Sequence, residues 1–485
     1  MPIASRAVVT LALLFVPLLP YAQPATRCER LIRALGPRIA DAFCFESTDL
    51  TTSNELTTPL DNTLPGLPPF AFTPRRDRDV IAPAKPDRTP ITKVVPGVQL
   101  QARLADDPKG QARFLLRLPD DWNGRLVVAG ASGTRSEFNG DYAWSDYVVQ
   151  EGYAYASQNK GTLNFFFTDP ATDPLACRLN PASSLWVHFY DDEPGMGFGR
   201  WNTFMTLAAR VARRGVERHY GHEPARTYAV GTSNGGYQVR RALETAPELF
   251  DGGVDWEGTF VDATAQNLLT DLPAAVWNFA PYAASGFKDL VAAQNIEAAG
   301  YPPDIVNGAT SLWGLYSASF WELTQCQWQK RLDPTYATYT SGTGTYNYVA
   351  RLSASDVGAA VADIATTGRI QRPLVTVAGT MDALLPIDHH ARAYARKVAA
   401  WRGDEPRDGP EYRLWEIQNG NHIETYRQLF PQLEYIEPHA QHAFDLLVEH
   451  VERHRPLPPD QCVPRGGAIS PSPSEPGHCA LLPAP

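Results

Sequence analysis

The chain has 485 residues, 44% hydrophobic and 20% charged, with a formal net charge of −10 at pH 7. That length supports a large core in one or two domains, and the composition is that of a globular protein in water. No lysine/arginine block is present and no run beyond the N-terminus is long and apolar enough for a membrane helix, so neither nucleic acid nor membrane is expected as a partner.

The N-terminus reads as a secretory signal over residues 1–22. Arg6 precedes the apolar run "AVVTLALLFVPLL", which is too short to span a bilayer, and cleavage is expected after Ala22. All six cysteines follow it: Cys28, Cys44, Cys177, Cys326, Cys462 and Cys479. An even count in an exported chain suggests disulfides, with fifteen pairings possible. Closeness in sequence favours Cys28–Cys44 and Cys462–Cys479, which leaves Cys177–Cys326. No cysteine or histidine spacing suggests a zinc site, and neither a metal nor an organic cofactor is expected.

Residues 23–95 read as a Pro-rich N-terminal extension, of which 50–95, rich in Pro and Thr without clear periodicity, reads as an extended lead-in that wraps the surface. Periodicity begins near residue 96. "VQLQARLA" and "GQARFLLRLP" alternate like antiparallel strands, and "RLVVAG" (125–130) is a buried-type strand. "DYAWSDYVVQEG" predicts a helix and "YAYASQNKG" a strand, while 161–200 reads as a long aromatic loop. "WNTFMTLAARVARRGVERHYG" has helical spacing, "TYAVG" is a strand, "YQVRRALETAPELF" a helix and "GGVDWEG" a strand. Strands alternating with helices imply a mostly parallel sheet with helices on both faces. The core is expected over 96–260 and 371–455, interrupted by an aromatic-rich cap at 261–370. "PLVTVAGTMDALLP" and "EYRLWEIQNGNHIET" resume the strand–loop pattern, a helix closes 436–454, and 456–485 reads as a loop tail.

Gly231-Thr232-Ser233-Asn234-Gly235 fits G-x-S-x-G. By composition alone such a match arises by chance in roughly one chain in six of this length. Its context is the stronger signal, because it follows a strand and opens a helix. There the serine sits on a sharp turn whose flanking positions admit no side chain. A capping serine in a Gly-rich turn is the plain alternative.

A serine nucleophile needs a base, and the base an orienting acid. Asp382 lies just after the strand "PLVTVAG" and His422 just after "YRLWEI", so both are expected at the sheet edge that carries Ser233. Asp255 and Asp388 compete as the acid, and His439 and His442 as the base. His389 and His390 follow Asp382 too closely to come from a separate strand. One oxyanion donor is expected from the Asn234 backbone N–H. The second is expected from Ala131 or Ser132, in the loop after "RLVVAG". Arg135 in that loop is a candidate for a substrate carboxylate, with a surface salt bridge as its alternative. Glu257, Trp313 and Trp321 are candidates for lining the substrate pocket, against structural roles in strand end and cap core.

The order Ser233, Asp382, His422 is that of an α/β-hydrolase. "VVAGASGTRSEFNG", "GYAYASQNKGT", "SNGG", "AGTMDALLPIDHHARAY" and "LPPDQCVPRGG" make the chain resemble secreted D-(−)-3-hydroxybutyrate oligomer hydrolases. "YGHEPARTYAVGTSNGG" and "PELFDGGV" are similar to the tannase/feruloyl esterase family. That second family usually joins a cysteine before the nucleophile to one after the histidine, whereas Thr232 and Ile423 stand here. Both resemblances imply an α/β-hydrolase fold with an inserted lid and ester hydrolysis by Ser233, Asp382 and His422. The first implies hydroxybutyrate oligomers as substrates, the second aromatic esters. Carbon–carbon cleavage of a β-diketone by the same triad is a further option. An inactive binding protein on this scaffold is the reading from a different class.

Overall fold

The computed structural model describes residues 25–61, 72–79, 87–133, 136–190, 198–264, 267–336, 346–403, 409–474 and 477–481. The expected signal segment and Arg135 therefore lie outside the described residues.

The strands in chain order are β1 (Ile39–Ser47), β2 (Gly97–Leu104), β3 (Arg113–Pro119), β4 (Arg125–Ala129), β5 (Ala154–Gln158), β6 (Leu163–Phe167), β7 (Cys177–Arg178) and β8 (Trp186–Tyr190). They continue with β9 (Arg226–Thr232), β10 (Gly252–Trp256), β11 (Val306–Asn307), β12 (Thr310–Ser311), β13 (Leu374–Gly379), β14 (Tyr412–Ile417) and β15 (Gln461–Val463). One sheet takes ten of them in the order β1-β2-β3-β5-β4-β9-β10-β13-β14-β15. The pairs from β1 to β5 are antiparallel, and every pair from β5 through β15 is parallel.

The parallel strands show why they formed. β10 and β13 are buried at every residue, as strands covered on both faces must be. Alternate side chains feed two cores. Leu126 and Val128 join a core that the helices Gly199–Tyr220, Asn234–Thr245 and Ala391–Gly403 share. Val127 and Ala129 point the other way, into a core shared with the helices Asp146–Gln150 and Glu437–Arg453. Behind the sheet's centre, Arg240 on the helix Asn234–Thr245 pairs with Asp255 on β10 at 2.6 Å, both side chains fully buried. Asp255 also accepts from the Gly258 N–H and the Thr376 hydroxyl, so its charge is satisfied where no water reaches.

Three regions depart from the sequence reading. The expected N-terminal extension 23–95 is structured in its first half, where it supplies a helix at Arg27–Leu35 and the edge strand β1. Thr26 and Glu29 close that helix's N-terminus as a capping box, and Leu31 and Leu35 enter the core. β1 escaped notice because it is an edge strand, half exposed, with polar and apolar residues mixed along it. The expected loop 161–200 contains a second sheet in the order β6-β8-β7. The tail contributes β15, which pairs with β14.

Between β10 and β13 the chain leaves the main sheet and forms helices at Leu268–Ala284, Leu290–Ala298, Leu312–Ser319, Trp321–Leu332, Tyr348–Leu352 and Val357–Ile364. These share an aromatic core with the small sheet. The three expected disulfides form, Cys28–Cys44, Cys177–Cys326 and Cys462–Cys479. Among the described residues no helix is long and apolar enough to cross a membrane.

Cys177–Cys326 closes a loop of 149 residues and ties β7 to the helix Trp321–Leu332. Replacing both cysteines by serine should lower the unfolding free energy by about 2–5 kcal/mol, measured by denaturant titration.

Candidate active site

Ser233 stands between β9 and the helix Asn234–Thr245 with φ 60° and ψ −123°, a conformation that L residues with side chains rarely adopt. Its N–H donates to the Trp256 carbonyl at 2.9 Å, and its own carbonyl accepts from Tyr237 N–H at 3.1 Å. Three backbones meet around it without side chains between them. A Cβ on Gly231 would lie 2.3 Å from the Gly235 carbonyl oxygen, and one on Gly235 would lie 2.7 Å from that of Gly130.

The base and acid loops are pressed together in the same way. A Cβ on Gly379 would lie 2.2 Å from the Gly420 carbonyl oxygen, and Met381 N–H donates to that oxygen at 2.8 Å. Asp382 Oδ1 accepts from the N–H groups of Leu384 and Leu385, each at 2.7 Å. Its Oδ2 lies 2.7 Å from His422 Nδ1. Both side chains are buried.

Ser233, Asn234, Ser132 and His422 line one cavity of about 410 Å³. Phe72, Phe165, Phe167, Phe189, Phe320 and Tyr426 supply much of the remaining wall. Among the described lining residues there is no Lys, Arg, Asp or Glu.

Asn234 is the first residue of its helix, a position where helix geometry offers no acceptor to the N–H from within. The second-donor expectation needs a correction at Ala131, whose N–H donates to the buried Gln238 side chain at 2.9 Å. Ser132 does line the cavity, with its N–H at a long 3.3 Å from Asn139 Oδ1. Three residues that shape this loop were missed in the sequence: Gln238, Asn139 and Lys160. Lys160 is fully buried, and its ammonium donates to the carbonyls of Ser132 and Gly133 while sitting 4.6 Å from the centre of the Trp201 ring. The available signal was the turn sequence Asn159-Lys160-Gly161 straight after β5, where the structure places Lys160 and Gly161 at positive φ.

The pocket-lining expectation fails for Glu257, Trp313 and Trp321. Glu257 is buried behind His422, with Oε2 3.4 Å from Nδ1 and Oε1 accepting from Gly379 N–H at 3.1 Å. Burial, with the neighbouring Asp382 charge second, pushes its carboxyl well above the usual range. Trp313 and Trp321 have no exposed surface. Their indole N–H groups donate to the carbonyls of Pro302 and Ala383, at 3.0 and 2.7 Å, and their rings fill the core of the inserted helices. Phe320, beside Trp321, reaches the cavity instead.

The competing acids and bases are engaged elsewhere. Asp255 serves Arg240, Asp388 contacts Arg392 at 3.2 Å, and His390 Nδ1 accepts from Phe260 N–H at 3.0 Å. His439 and His442 lie on the helix Glu437–Arg453. By distance, Glu257, Asp382 and His422 could hold a metal ion, since each offers a ligand atom and these lie within 4.8 Å of one another. An ion there would compete with Asp382 for His422 Nδ1.

Strand order, the positive-φ serine at the end of β9 and the acid and histidine beyond β13 and β14 define an α/β-hydrolase fold. Two solved structures share it: feruloyl esterase B of Aspergillus oryzae (TM-score 0.52, 13% identity, covering 86% of this chain and 87% of that one) and an esterase from Aspergillus oryzae (TM-score 0.53, 12% identity, covering 88% and 90%). In sequence, residues 308–484 match the model of the 3HB-oligomer hydrolase family. A D-(−)-3-hydroxybutyrate oligomer hydrolase of Burkholderia thailandensis is 30% identical over 128 residues, which are 24% of this chain and 17% of that protein. The chain thus resembles the 3HB-oligomer hydrolases in its C-terminal part, and the match spans less than a fifth of that curated relative.

Glu424, two residues past His422, is buried, and its Oε1 accepts from the N–H groups of Ile436 and Glu437 at 2.5 and 2.7 Å. Burial, reinforced by Glu437, pushes its carboxyl up to about 8. The folded state therefore holds a proton that the unfolded state has released, and stability falls as pH rises from the ordinary glutamate range to about 8. Glu424→Gln should match the native melting temperature near pH 5 and exceed it at pH 8, by calorimetry at both values.

Proposed function

We propose that the chain is a secreted serine esterase that cleaves carboxylic esters through an acyl-enzyme. The reading is carried by the apolar cavity that holds both Ser233 and His422, with Ser233 on a strained turn at a helix N-terminus. Ser233 Oγ attacks the ester carbonyl while His422 takes its proton. Asp382, on Nδ1, fixes the tautomer that leaves Nε2 as the base and stabilises the imidazolium that forms. The oxyanion is met by the Asn234 N–H and by a second donor from the loop that Lys160 grips, at Ser132 or Gly133. His422 then returns the proton to the leaving alcohol. Water, activated by the same histidine, releases the acid and restores Ser233.

The substrates are short 3-hydroxybutyrate oligomers. Supporting this are the family resemblance over residues 308–484, which include Asp382 and His422, and a cavity wall without charged groups, suited to methyl-bearing ester units. The carboxylate end of such an oligomer would lie outside the described wall. A second reading, aromatic ester hydrolysis, is favoured by the six aromatic rings around the cavity. Three disulfides fit export to an oxidising compartment.

Turnover of hydroxybutyrate dimer and trimer should exceed that of methyl ferulate and methyl gallate; the reverse order would assign the aromatic reading. Ser233→Ala should fold normally, lower kcat by about 10³–10⁶-fold and lose labelling by a fluorophosphonate. Labelling that persists in this variant would place the nucleophile elsewhere. Dialysis against EDTA should leave turnover unchanged, whereas a loss restored by Zn²⁺ would assign the Glu257, Asp382 and His422 group to a metal.

A further inference from the structure

We propose that Glu257 is a second carboxyl partner of His422, a positioning residue able to take over from Asp382 in orienting the imidazole. The inference rests on the serine-esterase reading and adds a residue to it. β10 and β13 are parallel neighbours, with Trp256 opposite Val377. Each strand is followed at its carboxyl end by a buried acid, and the two acids converge on one ring nitrogen, Asp382 at 2.7 Å and Glu257 at 3.4 Å.

Three features of Glu257 are those of a retained functional group. It holds φ at 51°, a cost for a residue with a side chain, with its N–H fixed on the Val377 carbonyl at 2.9 Å. Its Oε1 is fixed on the Gly379 N–H. Its Oε2 is buried 3.4 Å from Nδ1, and the Trp256 indole is the carboxyl's other side-chain neighbour.

Two carboxyl groups this close do not both ionise easily, and burial with the Asp382 charge keeps the Glu257 proton in place. Replacing Asp382 by asparagine removes that charge. Glu257 then loses its proton at lower pH than before, and Oε2 becomes an acceptor for the Nδ1 proton, preserving the tautomer that leaves Nε2 as the base. No bond other than the carboxyl O–H changes in this exchange.

The experiment is ester turnover against pH for the unaltered protein and for S233A, D382N, E257Q and the D382N/E257Q pair. An orienting aspartate lost without a substitute costs about 10⁴-fold in kcat. Here D382N should lose about 10–100-fold, with KM little changed and activity rising with pH as Glu257 ionises. E257Q should lower kcat about threefold in the otherwise intact protein and about a hundredfold in the D382N background, with the pH rise abolished. The same factor in both backgrounds, or a pH profile indifferent to E257Q, would overturn the proposal. Ordinary turnover by S233A would sink the serine reading itself; an inactive S233A with additive acids sinks only the role of Glu257. Should D382N not fold, the low-field His422 Nδ1 proton decides the matter by NMR. It should shift at alkaline pH in the unaltered protein and not in E257Q, and identical titrations would overturn the proposal.

Discussion

The site depends on a contact that only glycine allows. The end of β4, the end of β9 and the first turn of the following helix meet at Gly130, Gly231 and Gly235, where the backbones leave no volume for a methyl group. That closeness is what lets the chain turn within one residue, and it is why Ser233 takes up a positive φ. The strain is local and its support is distributed. The Arg240–Asp255 pair anchors the helix to β10, Asp255 Oδ1 crowds the next glycine, Gly236, and the Trp256 carbonyl holds the serine N–H. A backbone fixed this way holds the Ser233 side chain at the cavity wall.

The same device recurs one step along the sheet. Gly379 and Gly420 bring the turn after β13 against the loop after β14, which sets Asp382 beside His422. The parallel strands deliver all of these groups to one edge, and the inserted helices and the small sheet build an apolar wall opposite them. Carboxyl and ammonium groups are absent from the described wall and sit behind it. Glu257, Glu424 and Lys160 are all buried around the site, each close to a backbone it helps to hold. The molecule thus separates a greasy reception surface from a polar scaffold one layer deeper.

What could be read in advance follows from how local the signal is. The turn at Ser233 was legible because strand, glycine box and helix are consecutive in the chain. The meeting of Asp382 and His422 was legible because each comes soon after a strand of the parallel sheet. Trp313 and Trp321 misled because an aromatic residue announces burial without saying in which cavity or core. The helix Trp321–Leu332 is buried on nearly every side, polar residues included, so no apolar face singles itself out, and Phe320 just before it faces the cavity instead. Ala131 misled because its competitor for the N–H, Gln238, lies 107 residues away. Lys160 escaped because a buried lysine is stabilised by carbonyls and an indole that only the folded chain assembles. β1 escaped because an edge strand has one neighbour and a weak alternation.

The sheet's two outermost strands, β1 and β15, come from opposite ends of the chain, and each carries a cysteine bridged to a residue 16 or 17 positions away. Neither takes part in the cavity. What they do is cover β2 and β14, which would otherwise present unpaired N–H and carbonyl groups to any other chain with an open strand. The open edge passes to β1, which carries a register shift, and to β15, only three residues long, and a disulfide holds each in place. A molecule trimmed or reduced at its ends would keep its chemistry intact in the middle while becoming sticky at its margins.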